Sequence, residues 1–214
     1  MLMENERNQV LSYLKNEIKK YETESRYLHS YSVYEEATKL SQLFCMNDED
    51  SFALKKAAII HDITKDFSGE EQLKLCAKYG IKTNKKPSDP MPIMHQDTGC
   101  LFAREVFGNE IVDDKVFSAV GCHTTGKLGM NLIDKLLYLA DFIEPKREHA
   151  SCKELRQFFY DRCKEVKNTE ELLKILDESI LFSLQSTLNH LTQRKREIDD
   201  RIIPLWNSLI NSEE

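Results

Sequence analysis

Glycine and proline are scarce in this chain of 214 residues, which contains 7 glycines and 5 prolines. A β-sandwich or β-barrel of this size needs many turns, and turns depend heavily on these two residues. Their scarcity argues against such folds, and the abundance of Leu, Lys, Glu and Ala favours helices. At this length we expect one all-α domain that covers residues 1–214.

The sequence also lacks any apolar run that could span a bilayer, and its first 24 residues are charged throughout. The formal net charge of -6 and the short basic segments argue against a nucleic-acid partner, but they leave room for a local phosphate pocket. The 6 cysteines include no Cys-x-x-Cys pair, which argues against a zinc ribbon or a redox centre. We therefore expect a cytoplasmic protein with reduced thiols and no membrane segment.

Capping signals and helical periodicity divide the chain into successive helices. Candidate N-cap residues precede five periodic apolar segments: Ser25, Asn47, Ser68, Asn131 and Asn168. Between Ile81 and Met94 the helical pattern stops at three prolines, Pro87, Pro90 and Pro92. Residues 81–94 are therefore predicted to form a long loop. Such loops often act as lids or binding loops, and the role of this one stays open.

His61 and Asp62 directly follow the apolar run Ala57–Ile60, so a polar pair lies at the edge of the predicted core. An imidazole nitrogen beside a carboxylate oxygen suits a divalent transition metal. Burial of that aspartate is costly unless a cation compensates its charge. Further candidates are spread along the helical segments: His29, His95, His123 and Asp141. Each alone is more often a packed or surface residue, but together they make a metal site the favoured hypothesis.

The order of these residues resembles the signature of the HD-domain metal-dependent phosphohydrolases, an all-helical superfamily. The likeness is closer still to its YqeK-type branch, the bacterial symmetrical diadenosine tetraphosphate hydrolases. Four segments carry it: residues 26–30, 61–65, 123–130 and 139–147. The resemblance implies an HD-type helical core at about residues 20–200, with the N- and C-terminal helices packed on that core.

The resemblance also implies the ligands of one divalent metal ion. These are His29, His61, Asp62 and Asp141. Iron is the expected ion in this branch, with manganese or another divalent ion as the alternative. His95 and His123 correspond to positions that either hold a second metal or contact the substrate phosphates, and the resemblance favours phosphate contact.

Five residues are expected to bind the substrate: Lys65, His95, His123, Thr124 and Arg147. Lys65 lies about one helical turn after Asp62, so its ammonium can neutralise phosphate charge in the same pocket. Arg147 can bind a phosphate in bidentate fashion, and the loop that begins at Thr124 offers hydroxyls and backbone amides. Asp62 or Asp141 is expected to take a proton from the attacking water, and one of the two remaining histidines, such as His95, to protonate the leaving group.

The expected reaction cuts diadenosine tetraphosphate at its central anhydride and gives two ADP. A mononucleotide, a deoxynucleotide or a guanosine alarmone is the alternative substrate, because fold-level likeness cannot choose among nucleotides. No Gly-Tyr-Pro follows His61 and Asp62, which argues against the cyclic-dinucleotide branch. A non-catalytic nucleotide-binding module is a third reading, against which stands the complete set of expected metal ligands. The sequence leaves open whether the chain forms a homodimer.

Overall fold

The computed structural model describes residues 3–89 and 91–211, which form ten α-helices and no β-strand. Pro90, one of the three prolines in the predicted loop, lies outside the described residues. The helices are α1 (Glu4–Glu17), α2 (Glu24–Leu43), α3 (Asp48–Ile60), α4 (Gly69–Tyr79), α5 (Met94–Phe107), α6 (Asp114–Val120), α7 (Leu132–Ile143), α8 (Ala150–Cys163), α9 (Thr169–Gln193) and α10 (Ile202–Asn211). The prediction of an all-α fold is confirmed.

Side-chain caps set the first turns of most helices where the sequence predicted them. Asn47, Ser68, Asn131 and Asn168 accept hydrogen bonds from backbone amides at the starts of α3, α4, α7 and α9. Each such cap satisfies amide groups that would otherwise have no partner and typically stabilises a helix by about 1 kcal/mol.

The predicted cap of α2 at Ser25 is wrong, because the cap is Thr23. The Thr23 Oγ1 atom accepts a hydrogen bond from the amide of Arg26 at 3.3 Å. The same hydroxyl donates to the carboxylate of Asp66 at 2.8 Å, a residue 43 positions away in sequence. This distant contact favours Thr23, and no local pattern near the helix start could have predicted it.

The loop between α4 and α5 passes close to the start of α4, and residues 81–89 and 91–93 of it are not helical. A Cβ atom at Gly69 would lie 2.1 Å from the carbonyl oxygen of Pro87, so only glycine permits this approach. Gly80 ends α4 in the left-handed conformation with a φ of 70°, as its position predicted. The carbonyl of Pro92 accepts a hydrogen bond from Lys65 at 3.1 Å, which ties the loop to the turn after α3.

Helices α3 and α7 lie at the centre of the fold. Helix α3 packs against α2, α6 and α7, while α7 also contacts α8 and α9. The inner face of α7 is fully buried at Leu136, Leu137 and Leu139, and truncation of such a leucine to alanine typically costs about 2–5 kcal/mol. The last turns of both helices are therefore fixed by the packed core. This packing also fixes the polar residues that follow the apolar run of α3.

Two further expectations concern the thiols and the membrane. None of the helices in the described part of the chain is long and apolar enough to cross a membrane. All six cysteines are free thiols, and four of them, Cys76, Cys100, Cys122 and Cys152, are buried. They behave as small packed side chains.

Candidate metal centre

Five segments converge on one cluster of histidines and aspartates. The second turn of α2 contributes His29, and the turn that follows α3 contributes His61 and Asp62. The start of α5, the turn after α6 and the last turn of α7 contribute the other three, His95, His123 and Asp141. We call these six residues the His/Asp cluster; the structure brings all of them together, although they are spread over more than a hundred positions of sequence.

In the first half of the cluster, two imidazoles face two carboxylates. The Nε2 atom of His29 lies 3.0 Å from Asp141 Oδ1 and 3.7 Å from Asp62 Oδ2. The Nε2 atom of His61 lies 3.5 Å from Asp62 Oδ2 and 3.8 Å from Asp141 Oδ1. Both nitrogens are buried, and neither has a regular hydrogen-bond partner within the described residues. Two unpartnered nitrogens and two carboxylate oxygens form a donor set that fits a divalent cation.

The other ring nitrogen of three histidines contacts an acceptor. His61 Nδ1 lies 2.9 Å from the Ala58 carbonyl, and His123 Nδ1 lies 2.7 Å from the Val120 carbonyl. A carbonyl oxygen can only accept, so these Nδ1 atoms carry the proton and leave the lone pair on Nε2, inside the cluster. His29 Nδ1 lies 3.2 Å from a carboxylate oxygen of Glu144, which imposes the same arrangement. This is the tautomer that metal ligation requires.

The second half of the cluster lies around the other oxygen of Asp62. Oδ1 of this residue is 3.1 Å from His95 Nε2 and 3.4 Å from His123 Nε2, and these two nitrogens are 3.0 Å apart. The Lys65 ammonium lies 3.1 Å from His95 Nδ1, and the Thr124 hydroxyl lies 3.1 Å from His95 Nε2. Four residues predicted to bind substrate therefore adjoin one another beside Asp62.

Two arginines pair with the two aspartates. Arg26 Nη1 lies 2.7 Å from Asp62 Oδ2, while the Arg147 guanidinium contacts Asp141 Oδ1 and donates to the Asp141 carbonyl at 2.5 Å. The phosphate contact expected of Arg147 stays a prediction, because in this structure its guanidinium holds an aspartate of the cluster. Arg26 was not singled out as a site residue; its position three residues before His29, on the same face of α2, was the available signal.

Burial and neighbouring charges set the ionisation states within the cluster. Burial lowers the pKa of His61 to about 3 and that of His95 to about 4. Burial opposes ionisation of Asp62, but the imidazoles of His61, His123 and His95 outweigh it and hold its pKa well below the usual range. For Asp141, the charge of Arg147 has the same effect against burial. Anionic carboxylates beside neutral imidazoles are the protonation state that binds a cation.

His29 and Glu22 depart from this pattern. Burial lowers the pKa of His29, but the neighbouring carboxylates of Asp141 and Glu144 outweigh it and raise the value to about 9. A proton therefore competes with a metal ion for the Nε2 atom of His29. Burial raises the pKa of Glu22 to about 8, and although one of its carboxyl oxygens accepts a hydrogen bond from Ser30, the other has no partner within the described residues. Sequence reasoning missed Glu22, which carries no motif.

The loop at Thr124 is fixed from behind by Gln96. The Oε1 atom of Gln96 accepts the backbone amides of Thr124 at 3.0 Å and Thr125 at 3.2 Å. The Gln96 amide group also donates to the Thr125 hydroxyl at 3.0 Å. These two backbone amides, which the sequence suggested for phosphate binding, thus already have an acceptor. Of the groups that Thr124 and Thr125 offer, the Thr124 hydroxyl is the one that lies at the cluster, where it contacts His95.

Comparison with known proteins adds independent findings. A family model described as HD domain matches residues 26–203. The chain is 27% identical over 193 residues to a protein of Halalkalibacterium halodurans named bis(5'-nucleosyl)-tetraphosphatase, symmetrical. The match covers 90% of this chain and 93% of that protein. A protein of the same name from Bacillus subtilis is 26% identical over 194 residues, with 91% of this chain and 94% of that protein covered.

A solved structure resembles the whole fold. It is described as a predicted HD superfamily hydrolase involved in NAD metabolism from Clostridium acetobutylicum, and it matches with a TM-score of 0.75 at 25% identity. The match covers 94% of this chain and 97% of the other. The similarity therefore extends over nearly the whole chain.

Proposed function

Because the chain belongs to the HD domain family, we propose that it is a metal-dependent hydrolase that cuts diadenosine tetraphosphate at the central phosphoanhydride and releases two ADP. Two curated relatives that match over most of the chain are named for symmetrical cleavage of such tetraphosphates. The observation that carries the proposal is the pair of buried, unpartnered Nε2 atoms of His29 and His61 that face Asp62 and Asp141. The Lys65 ammonium, which we propose neutralises phosphate charge, lies 3.1 Å from His95 in the other half of the cluster.

We propose that His29, His61, Asp62 and Asp141 are the protein ligands of the metal ion. Iron is the proposed native ion and manganese the alternative, since imidazole suits iron and carboxylates suit manganese. When bound, such an ion acts as a Lewis acid and lowers the pKa of a coordinated water. Of the two carboxylates, the Asp141 side chain is the more accessible at 16% exposure, against 5% for Asp62, so Asp141 is the proposed acceptor of the proton from the attacking water.

The substrate phosphates are proposed to bind at Lys65, His95, His123 and Thr124. The Lys65 ammonium can neutralise the charge that builds up on the departing ADP, which is the main requirement of phosphoanhydride cleavage. A second metal ion between His95 and His123 is the alternative reading, because both face Asp62 Oδ1. The ammonium 3.1 Å from His95 disfavours a further cation there, so phosphate contact is preferred.

Three further expectations complete the proposal. We propose that the chain forms one domain, since a single buried apolar cluster includes residues of both the first helix, α1, and the last, α10. A cytoplasmic location agrees with six unpaired thiols. A homodimer is the oligomeric form to test first, by size-exclusion chromatography with light scattering.

Product analysis tests the proposed reaction. The protein is incubated with diadenosine tetraphosphate and Fe²⁺ or Mn²⁺, with a chelator in a parallel sample, and the nucleotides are separated. We expect ADP as the sole nucleotide product, and only when metal is present. ATP with AMP as products would overturn the proposed position of cleavage. If the protein hydrolyses mononucleotides or guanosine alarmones but not diadenosine tetraphosphate, the proposed substrate is overturned.

A matched pair of histidine variants tests the site itself. His61→Ala removes a proposed ligand, and His149→Ala removes an exposed histidine outside the cluster. We expect loss of metal content and of turnover only for His61→Ala. Full activity in that variant would overturn the ligand assignment.

A further inference from the structure

Glu144 is a buried carboxylate that contacts one proposed metal ligand from outside the metal centre. It is the first residue after α7, and its side chain is 2% exposed. Its Oε1 atom lies 3.2 Å from Nδ1 of His29, a residue 115 positions earlier in the chain. Glu144 therefore joins the end of α7 to the second turn of α2 at the edge of the His/Asp cluster.

The carboxylate of Glu144 is held in place by its own surroundings. Its Oε2 atom accepts a hydrogen bond from the amide of Lys146 at 2.7 Å. The Arg156 guanidinium donates to the carbonyl oxygens of Ile143 and Glu144, each at 2.5 Å, and to that of Arg147 at 3.1 Å. These bonds anchor the turn that presents the Glu144 side chain to His29.

The position of His29 explains why such a partner is needed. His61 and His123 lie in turns, where Nδ1 reaches a backbone carbonyl three residues earlier. His29 lies inside α2, in its second turn, where the nearby carbonyls already accept helical hydrogen bonds. A histidine inside a helix therefore needs an acceptor from another element to hold its proton on Nδ1, and Glu144 supplies one.

We propose that Glu144 is a positioning residue, which holds the proton of His29 on Nδ1 and thereby directs the Nε2 lone pair to the metal ion. A carboxylate in this relation to a ligating histidine orients the ring and raises the basicity of the ligand. The inference rests on the proposed metal centre and adds to it a residue that does not touch the ion. It does not depend on which nucleotide is cleaved.

Metal affinity is the measurement that tests this role. Glu144→Ala removes the acceptor, whereas Glu144→Gln keeps an acceptor oxygen but removes the charge. Glu148→Gln is the control, since Glu148 is an exposed carboxylate in the same loop. Affinity for Co²⁺ is measured by competition with a chelator, and the visible spectrum of the Co²⁺-loaded protein reports its ligands. Circular dichroism checks that each variant is folded.

We expect Glu144→Ala to bind Co²⁺ about 10–100-fold more weakly and with an altered spectrum, which is the usual effect of losing such a partner. Glu144→Gln should recover part of the affinity, and Glu148→Gln should bind as the original chain does. In a His29→Ala background, Glu144→Gln should cause no further loss. Unchanged affinity in Glu144→Ala would overturn the role. So would a loss on Glu144→Gln in the His29→Ala background that equals its loss in the original chain.

These outcomes are separate from the proposed reaction. If the original chain binds Co²⁺ and Glu144→Ala binds it more weakly, the positioning role stands even when diadenosine tetraphosphate is not cleaved. If the original chain binds no divalent ion, both the metal centre and the role of Glu144 are overturned.

Discussion

Removal of the metal ion should lower the thermal stability of this protein. The proposed ligands come from α2, from the turn after α3 and from α7, and only the folded chain brings them together. An ion that binds only the folded state stabilises it by an amount that grows with the logarithm of the ion concentration. The two buried carboxylates, Asp62 and Asp141, contribute to the affinity for the ion, because the ion compensates their charge.

The size of the effect follows from binding and chain length. At a free ion concentration about 1,000 times the dissociation constant, the gain in unfolding free energy is about 4 kcal/mol. For a chain of 214 residues, 1 kcal/mol at the midpoint corresponds to about 2–4 °C in Tm. Chelation of the fully loaded protein should therefore lower Tm by about 8–16 °C.

Thermal unfolding followed by circular dichroism provides the assay, with Mn²⁺ varied over several decades. The Tm of the original chain and of His149→Ala should rise with the logarithm of the ion concentration. The Tm of His61→Ala should not respond, since that variant lacks a proposed ligand. A Tm of the original chain that does not change with Mn²⁺, or a His61→Ala variant that responds equally, would refute the reasoning.

Three further predictions concern pH, metal retention and backbone strain. The pKa of Glu22 is raised from 4.5 to about 8, so the folded chain holds the proton of this carboxyl more tightly than the unfolded chain does. The free energy of unfolding should therefore fall between pH 5 and 8 by up to about 1.4 kcal/mol per pH unit. Urea titrations should show a smaller slope for Glu22→Gln. Arg147→Ala frees Asp141 and should weaken metal binding about 10-fold, as measured by chelator competition. Gly126→Ala should cost about 1–3 kcal/mol in urea unfolding, because φ is +65° and the new Cβ would lie 2.3 Å from Leu205 Cδ2.

Each of these predictions has a matched control. Glu24→Gln alters an exposed carboxylate near Glu22 and should leave the pH slope unchanged; an equal slope in Glu22→Gln would contradict the first prediction. Arg196→Ala alters an exposed arginine and should bind metal normally. If Arg147→Ala also keeps full affinity and loses only turnover, its contact with Asp141 is dispensable. Gly129 has a φ of +74° but open space around it, so Gly129→Ala is the control for Gly126→Ala. An equal loss of unfolding free energy in both variants would exclude the contact with Leu205 as the reason for the cost at Gly126.

Local sequence patterns predicted the boundaries of several helices because few neighbouring residues decide them. The cap of α7 at Asn131 lies next to the helix it starts, and the end of α4 at Gly80 needs only a left-handed residue. Both features depend on contacts within a few positions of sequence. Thr23 shows the limit, since its hydroxyl also donates to Asp66 in a distant turn, a contact that no local pattern predicts.

The sequence by itself determined the helical class and the set of histidines and aspartates, because composition, periodicity and residue order carry both. Only the tertiary structure decided which atoms meet. It placed Arg147 on Asp141, and it set Glu144 against His29 across 115 positions of sequence. Such pairings depend on how whole helices pack, and packing is the joint result of many weak contacts over the entire chain. For that reason a motif could name the proposed metal ligands, whereas the groups proposed to orient them became visible only in the fold.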